Sequence, residues 1–296
     1  MSAPTWHILG AGAMGCLLAS RLQLTACRVA LILRDKTQAA VTTVTVEHGD
    51  SSTDFSFAAT VPADREPISH LLITTKAQDI IAATEGVAHR LDTHTQVLVL
   101  SNGMGYAKDL IAMLPGSSCF FGTTTEGAYR LGSRHIYHAG EGITRIGRAG
   151  TSDPPEWFRF WDTAMNSEWS TSIDDILWHK FAINCAINPI TAVHGCLNGE
   201  LTAPDRWSEV ELVCSEIKAV CAKERMTHAL GDLLGEVKQV VAATANNRSS
   251  MLQDVLSGRS TEIQYLTGYL LRLADLHGLT LPANTSLYER VLKLNN

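Results

Sequence analysis

Ile8-Leu9-Gly10-Ala11-Gly12-Ala13-Met14-Gly15, running on into Cys16 to Leu24, decides how the first half of this chain is read. The apolar run Trp6-His7-Ile8-Leu9 enters three glycines spaced G-x-G-x-x-G, and the residues that follow suit a helix. In such a strand–loop–helix unit the first glycine permits a tight turn and the second lets the backbone approach a pyrophosphate. The third lets helix and strand pack closely. The first N–H groups of the helix and its positive dipole end face the anion. Gly10, Ala11, Gly12, Ala13, Met14 and Gly15 are therefore the candidate dinucleotide loop. Glycine triplets also occur in turns without ligands, so the flanking strand and helix carry the weight.

Working outward, Arg28-Val29-Ala30-Leu31-Ile32-Leu33-Arg34 predicts a second strand, apolar almost throughout, as expected when both faces are covered. An acidic residue about 20 positions past the loop would bind a ribose 2′-hydroxyl, whereas an arginine there can accept a 2′-phosphate. Arg34 holds that place and favours NADP(H). It could equally be a solvated strand end, and Asp35 beside it keeps NAD open.

The parallel pattern resumes at His70 to Lys76, then at Gln96 to Gly103. Ligands of open α/β sheets gather beyond the carboxyl ends of the strands, which puts Lys76 and Asn102 beside the glycine loop. A surface lysine and a turn asparagine are the plainer alternatives. Alternation over Val41 to Val61, broken at Gly49-Asp50-Ser51-Ser52, predicts a hairpin outside the parallel core. Phe120 to Thr125 continues the sheet, and Ile136-Tyr137-His138 with Ile143 to Gly147 predicts antiparallel strands at its edge. A helix is expected around Pro155 to Met165. Beyond Trp169 long helical periodicities take over, at 173–195, 205–228, 231–246 and 261–277. The expected class is α/β: a Rossmann-type doubly wound domain over 1–170, an all-α domain over 171–296, and a cleft between them.

Composition narrows the partners. With 296 residues, 45% hydrophobic and 18% charged, and a net charge of −6, nothing favours nucleic acid or an anionic membrane, so any anion site must be local. Seven dispersed cysteines without C-x-x-C fit a reducing compartment, and they share no ligand-type spacing with the eleven histidines, so no metal site is expected. No basic leader precedes an apolar run, and none of the apolar runs approaches the roughly 18 residues of a membrane span. The cytoplasm is the expected compartment.

The second half holds the candidates for chemistry. Lys180, Asn184 and Asn188 fall at i, i+4 and i+8, on one face of a helix. A partly desolvated lysine has a lowered pKa and suits proton donation to a carbonyl that receives a hydride. Pro189 predicts a bend or break near Asn188. The structural alternative is a snorkelling Lys180 with two asparagines at a helix junction. Farther on, Ser260 or Thr261 is expected to cap a helix with Glu262 in its first turn, and Ser250 either binds a substrate anion or ends the preceding helix.

These motifs together resemble the ketopantoate reductase (2-dehydropantoate 2-reductase) family over nearly the whole chain. The resemblance runs from Gly10 to Gly15 through Ser101-Asn102-Gly103-Met104-Gly105, Gly122-Thr123-Thr124-Thr125, Lys180 to Pro189, Asn198-Gly199-Glu200-Leu201, Ser249 to Asp254 and Thr261-Glu262-Ile263. It implies an NADPH-dependent oxidoreductase of pantothenate biosynthesis with a small 2-keto acid substrate. It further implies that the loop, Arg34, Lys76, Asn102 and Ala128 line the NADP(H) site, and that Lys180 is the general acid. Asn102, Asn184, Asn188 and Asn198 would hold the substrate's polar groups, Ser250 its carboxylate, and Glu262 would organise the site. Gln78-Asp79 departs from the family, whose members carry an aromatic after the lysine. Two alternatives accompany this reading: a reductase of another small 2-keto acid, and a non-catalytic NADP(H)-binding redox sensor.

Overall fold

The structure is a computed structural model that describes residues 3–34, 40–114 and 116–294. Asp35, the residue that keeps NAD open, lies outside them. The chain divides into two compact units, one of residues 1–101 with 106–173, the other of residues 102–105 with 174–296.

The first unit runs β1 (Thr5–Leu9), α1 (Ala13–Gln23), β2 (Arg28–Ile32), β3 (Val41–His48), β4 (Ser51–Thr60), β5 (His70–Ile73), α2 (Ile80–Val87), β6 (Gln96–Val99) and α3 (Ala107–Met113). It continues with β7 (Ser118–Thr124), β8 (Gly127–Gly132), β9 (His135–Gly140), β10 (Thr144–Gly147), α4 (Phe158–Ala164) and β11 (Ser167–Ser170). The described strands form one sheet in the order β11-β10-β7-β6-β5-β1-β2-β4-β3-β9-β8. β1 is central, parallel to β2 on one side and β5 on the other, with Ile8 opposite both Leu31 and Leu72. The strand order reverses there, at the position where open α/β sheets have their ligand crevice. Ile8, Leu31, Leu72 and Leu98 make a fully buried row across four parallel strands. Their continuous apolar sequence follows from cover on both faces.

Two expectations about the sheet are corrected. The hairpin β3–β4 is not outside the parallel core: β4 pairs parallel with β2, Ala30 opposite Ala58, and extends the sheet. Nor do the strands at 136–138 and 143–147 belong together. β9 pairs with β3 and β8, while β10 pairs antiparallel with β7 at the opposite end of the sheet. Short alternating strands specify a buried face but not a partner, so sequence proximity misled here.

The second unit contains α5 (Ile173–His194), α6 (Pro204–Lys223), α7 (Thr227–Leu230), α8 (Leu233–Ala243), α9 (Ser250–Leu256), α10 (Thr267–Leu276) and α11 (Pro282–Leu294). α5 does not break near Asn188 but stays helical through Pro189. Proline removes one intrahelical donor there, and the buried surroundings of Ala186, Ile187 and Ile190 hold the helix together. Glu216 on α6 accepts from the Ala283 and Asn284 N–H groups, each at 2.9 Å, and so caps the start of α11. No described helix is long and apolar enough to cross a membrane.

Aromatic packing anchors β1 in the first unit. The Trp6 ring meets Trp157 at 5.2 Å and Trp161 at 5.5 Å, both edge-on, and Trp6 and Trp161 are fully buried. Replacing Trp161 by alanine is expected to destabilise this unit by about 3–5 kcal/mol. Urea unfolding followed by circular dichroism checks it; a midpoint unchanged from the parent would show that this cluster contributes nothing.

Candidate active site

At the carboxyl end of β1 the three glycines do different work. Gly10 has φ +116°, and a Cβ built on it would stand 2.6 Å from the Thr75 nitrogen, so only glycine serves. A Cβ on Gly15 would run into the Gly10 carbonyl. That carbonyl accepts from Thr74 Oγ1 at 2.8 Å and from the Gly12 N–H at 2.6 Å, which ties the loop to the end of β5. A Cβ on Gly12 would meet ordinary contacts, Arg130 Nη2 at 3.8 Å and the Gly10 carbonyl oxygen at 3.9 Å, so this is the glycine of the three with room beside it for a phosphate. Ala13 and Met14 begin α1, whose N-terminus opens onto the same place. The geometry fits a dinucleotide phosphate.

Arg34 follows β2 and Lys76 follows β5, the two strands that flank β1. Arg34 is almost fully exposed, with Nη2 3.9 Å from an Asp79 carboxylate oxygen. Lys76 is partly buried just before the turn at Ala77–Asp79. Ala128 lies on β8, the last strand in sheet order, yet β8 packs on α1. From the same strand Arg130 Nη2 donates to the Ala11 carbonyl at 2.9 Å.

The remaining predicted residues belong to the second unit. Lys180, Asn184 and Asn188 follow one face of α5, the first two partly buried and Asn188 buried. Burial drives the Lys180 ammonium down to about 8, and the Glu262 carboxylate opposes that fall. Glu262 is itself buried, so the two charges reinforce each other where water screens them little.

Glu262 is not in the first turn of a helix, as expected, but precedes a short 3₁₀ turn at Ile263–Tyr265, and α10 begins only at Thr267. A clasp delivers it there. Arg259 Nε donates to Asp254 Oδ1 at 3.0 Å and its N–H to the Asp254 carbonyl at 2.9 Å, folding the loop after α9 back on itself. Ser250 opens α9 and does not close a preceding helix. Ser249 is the cap, accepting from the Leu252 N–H at 3.1 Å while its oxygen lies 2.7 Å from Thr191 Oγ1. That buried hydroxyl pair ties the start of α9 to α5, one turn beyond Asn188.

Asn198 donates through Nδ2 to Thr244 Oγ1 at 2.9 Å, and its buried Oδ1 has no protein partner among the described residues. Asn102 groups with this unit, because the neighbouring Met104 N–H donates to the Tyr265 carbonyl at 2.8 Å. Gly103 has φ +78° beside Tyr265 and permits that approach.

The family models described as ketopantoate reductase PanE/ApbA and its C-terminal region match residues 6–151 and 172–295. The chain belongs to the ketopantoate reductase family. It is 35% identical to a 2-dehydropantoate 2-reductase of Vibrio cholerae over 293 residues, 97% of this chain and 96% of the relative. Among solved structures, a probable 2-dehydropantoate 2-reductase from Bacillus subtilis superposes with a TM-score of 0.82 at 28% identity, covering 98% of this chain and 99% of that one. D-mandelate dehydrogenase, solved with NADH and anilino(oxo)acetate, shares the fold with a TM-score of 0.88 at 20% identity, over 98% of both chains.

Several residues that build this site escaped the sequence reading. Thr74 was visible as the polar end of a predicted strand. Arg130 and the Thr191–Ser249 pair were not, since each contact joins residues far apart in sequence.

If Glu262 sustains the charge on Lys180, Glu262→Gln lowers the lysine's pKa further below about 8. Carbon-13 NMR of lysine Cε in the two proteins measures it, with Lys180→Arg assigning the resonance. A titration midpoint unmoved by the substitution contradicts the coupling.

Proposed function

We propose that this protein reduces 2-dehydropantoate to (R)-pantoate with NADPH, a step toward pantothenate and coenzyme A. Membership of the reductase family supports the reaction class, and one observation carries the mechanism: Lys180, on the polar face of α5 with Asn184 and Asn188, is desolvated by burial and lies in the field of the buried Glu262 carboxylate.

A reduced nicotinamide supplies a hydride when bound. Reduction of a ketone also needs a proton on the carbonyl oxygen, and Lys180 Nζ holds it. As the C2–O π bond breaks, its electron pair takes the proton from Nζ, leaving a neutral amine that is reprotonated from solvent. Before that transfer the ammonium stabilises charge on the oxygen, an effect strengthened where water is scarce. Glu262 keeps the ammonium charged near neutral pH and accepts a hydrogen bond from the substrate or the coenzyme. Asn102, Asn184, Asn188 and Asn198 hold the substrate's polar groups; the Asn198 Oδ1, buried and without a partner among the described residues, suits a hydroxyl donor. Ser250, exposed at the start of α9, takes the carboxylate.

On the coenzyme side, Gly10 to Gly15, Lys76, Asn102 and Ala128 form the binding surface, and Arg34 selects NADPH by pairing with its 2′-phosphate. Its exposed guanidinium at the end of β2 is in keeping with that role, and the nearby Asp79 is too solvated to neutralise it. We also assign the protein to the cytoplasm, because its seven cysteines are all buried and unbridged, which suits a reducing compartment.

The test is a panel of 2-keto acids with NADPH and NADH, followed by loss of coenzyme absorbance. Ketopantoate with NADPH is expected to give the highest kcat/KM, and Lys180→Ala to lose about 100-fold or more in turnover while still binding NADPH. Preference for a different 2-keto acid would reassign the substrate. Undiminished turnover in Lys180→Ala would remove the lysine from the donor role, and binding without turnover of any 2-keto acid would point to a redox sensor.

A further inference from the structure

The glycine loop carries no charge of its own, and the chain as a whole is negative by six. A pyrophosphate bound only by N–H groups and a helix dipole would leave most of its charge uncompensated. The structure supplies a cation at that point. Arg130 Nη2, besides its 2.9 Å bond to the Ala11 carbonyl, lies 3.8 Å from where a Cβ on Gly12 would stand. Apart from the adjoining residues Ala11 and Ala13, the other described atom within 4 Å of that point is the Gly10 carbonyl oxygen, at 3.9 Å. Arg130 is therefore the side chain from elsewhere in the described chain that borders the space beside the second glycine.

Its charge reaches the first turn of α1 as well. Burial pushes the Cys16 thiol up to about 11, and the charges that oppose this are Arg130 and then Arg134. A guanidinium has five N–H donors in a rigid fork. One is used on Ala11, and others remain for phosphate oxygens.

We propose that Arg130 binds the pyrophosphate of the coenzyme, with its bond to Ala11 fixing the fork at the mouth of the loop. The proposal rests on the loop being a dinucleotide site, as above. It also assigns the two arginines different tasks. Arg34 faces a group that only NADPH has, whereas Arg130 faces one that NADPH and NADH share.

Titrating the full-length protein with NADPH and with NADH, by calorimetry, separates these roles. Arg130→Ala is expected to weaken both coenzymes by a similar factor, about 10-fold or more, the loss expected for a charge-assisted hydrogen bond. Arg130→Gln retains a donor for Ala11 without the charge and should be nearly as weak, while Arg130→Lys should recover part of the affinity. Arg34→Ala should weaken NADPH alone. Adenosine 2′-monophosphate, which has no pyrophosphate, should bind Arg130→Ala as well as the parent. Arg130→Ala that binds both coenzymes normally overturns the proposal. So does Arg130→Gln with full affinity, which would make Arg130 a neutral brace of the loop. Failure of the parent protein to bind either coenzyme would instead overturn the dinucleotide reading itself.

Discussion

A lysine ammonium among apolar helices is the constraint on which the second unit depends. Burial works against the Lys180 charge, and one buried carboxylate, Glu262, works for it. Neither group tolerates such a place alone, since an unpaired buried charge is among the costliest defects a fold can carry. Much of the local architecture serves to set these two opposite each other. α5 presents Lys180 from a helix whose other faces bury Phe181, Cys185 and Ile190. The Asp254–Arg259 clasp turns the chain after α9, with Gly258 at φ +61°, so that Glu262 enters from a short 3₁₀ turn. The balance leaves the lysine close to the pKa that suits an acid working near neutral pH.

The first unit solves a different problem, that of holding an anion with an acidic protein. β1 sits at the reversal of the strand order, and Gly10 and Gly15 let α1 and the end of β5 close on it. In the roles proposed for them, Arg34 after β2, Lys76 after β5 and Arg130 from β8 supply the charge that the backbone leaves uncompensated. On that reading charge at this site is assembled from several strands, while the loop contributes shape.

Local pattern made the first unit's core and the long helix of the second legible in the sequence. Ile8, Leu31, Leu72 and Leu98 announce themselves as buried parallel strands because each lies in an unbroken apolar run. Lys180, Asn184 and Asn188 share a face by spacing alone, and the three-glycine loop is a motif with a mechanism. What stayed hidden depends on contacts that spacing does not encode. β9 and β10 look like partners and lie at opposite ends of the sheet. Pro189 reads as a helix break, but burial keeps α5 continuous. Glu262 reads as a first-turn carboxylate, yet the clasp before it moves the start of α10 to Thr267. α11 went unread because its polar opening, Pro282 to Ser286, is stabilised from outside by Glu216. Arg130 could not be singled out, because its meaning depends on β8 packing on α1.

The pH dependence of wild-type turnover tests the central claim most directly. With NADPH saturating, kcat/KM for ketopantoate, which reports the enzyme before the keto acid binds, should hold below pH 8 and fall as pH rises through the Lys180 value of about 8, because only the ammonium can donate. A kcat/KM that stays flat to pH 10, with the chemical step shown to be limiting by a deuterium isotope effect from labelled NADPH, would contradict Lys180 as the proton donor.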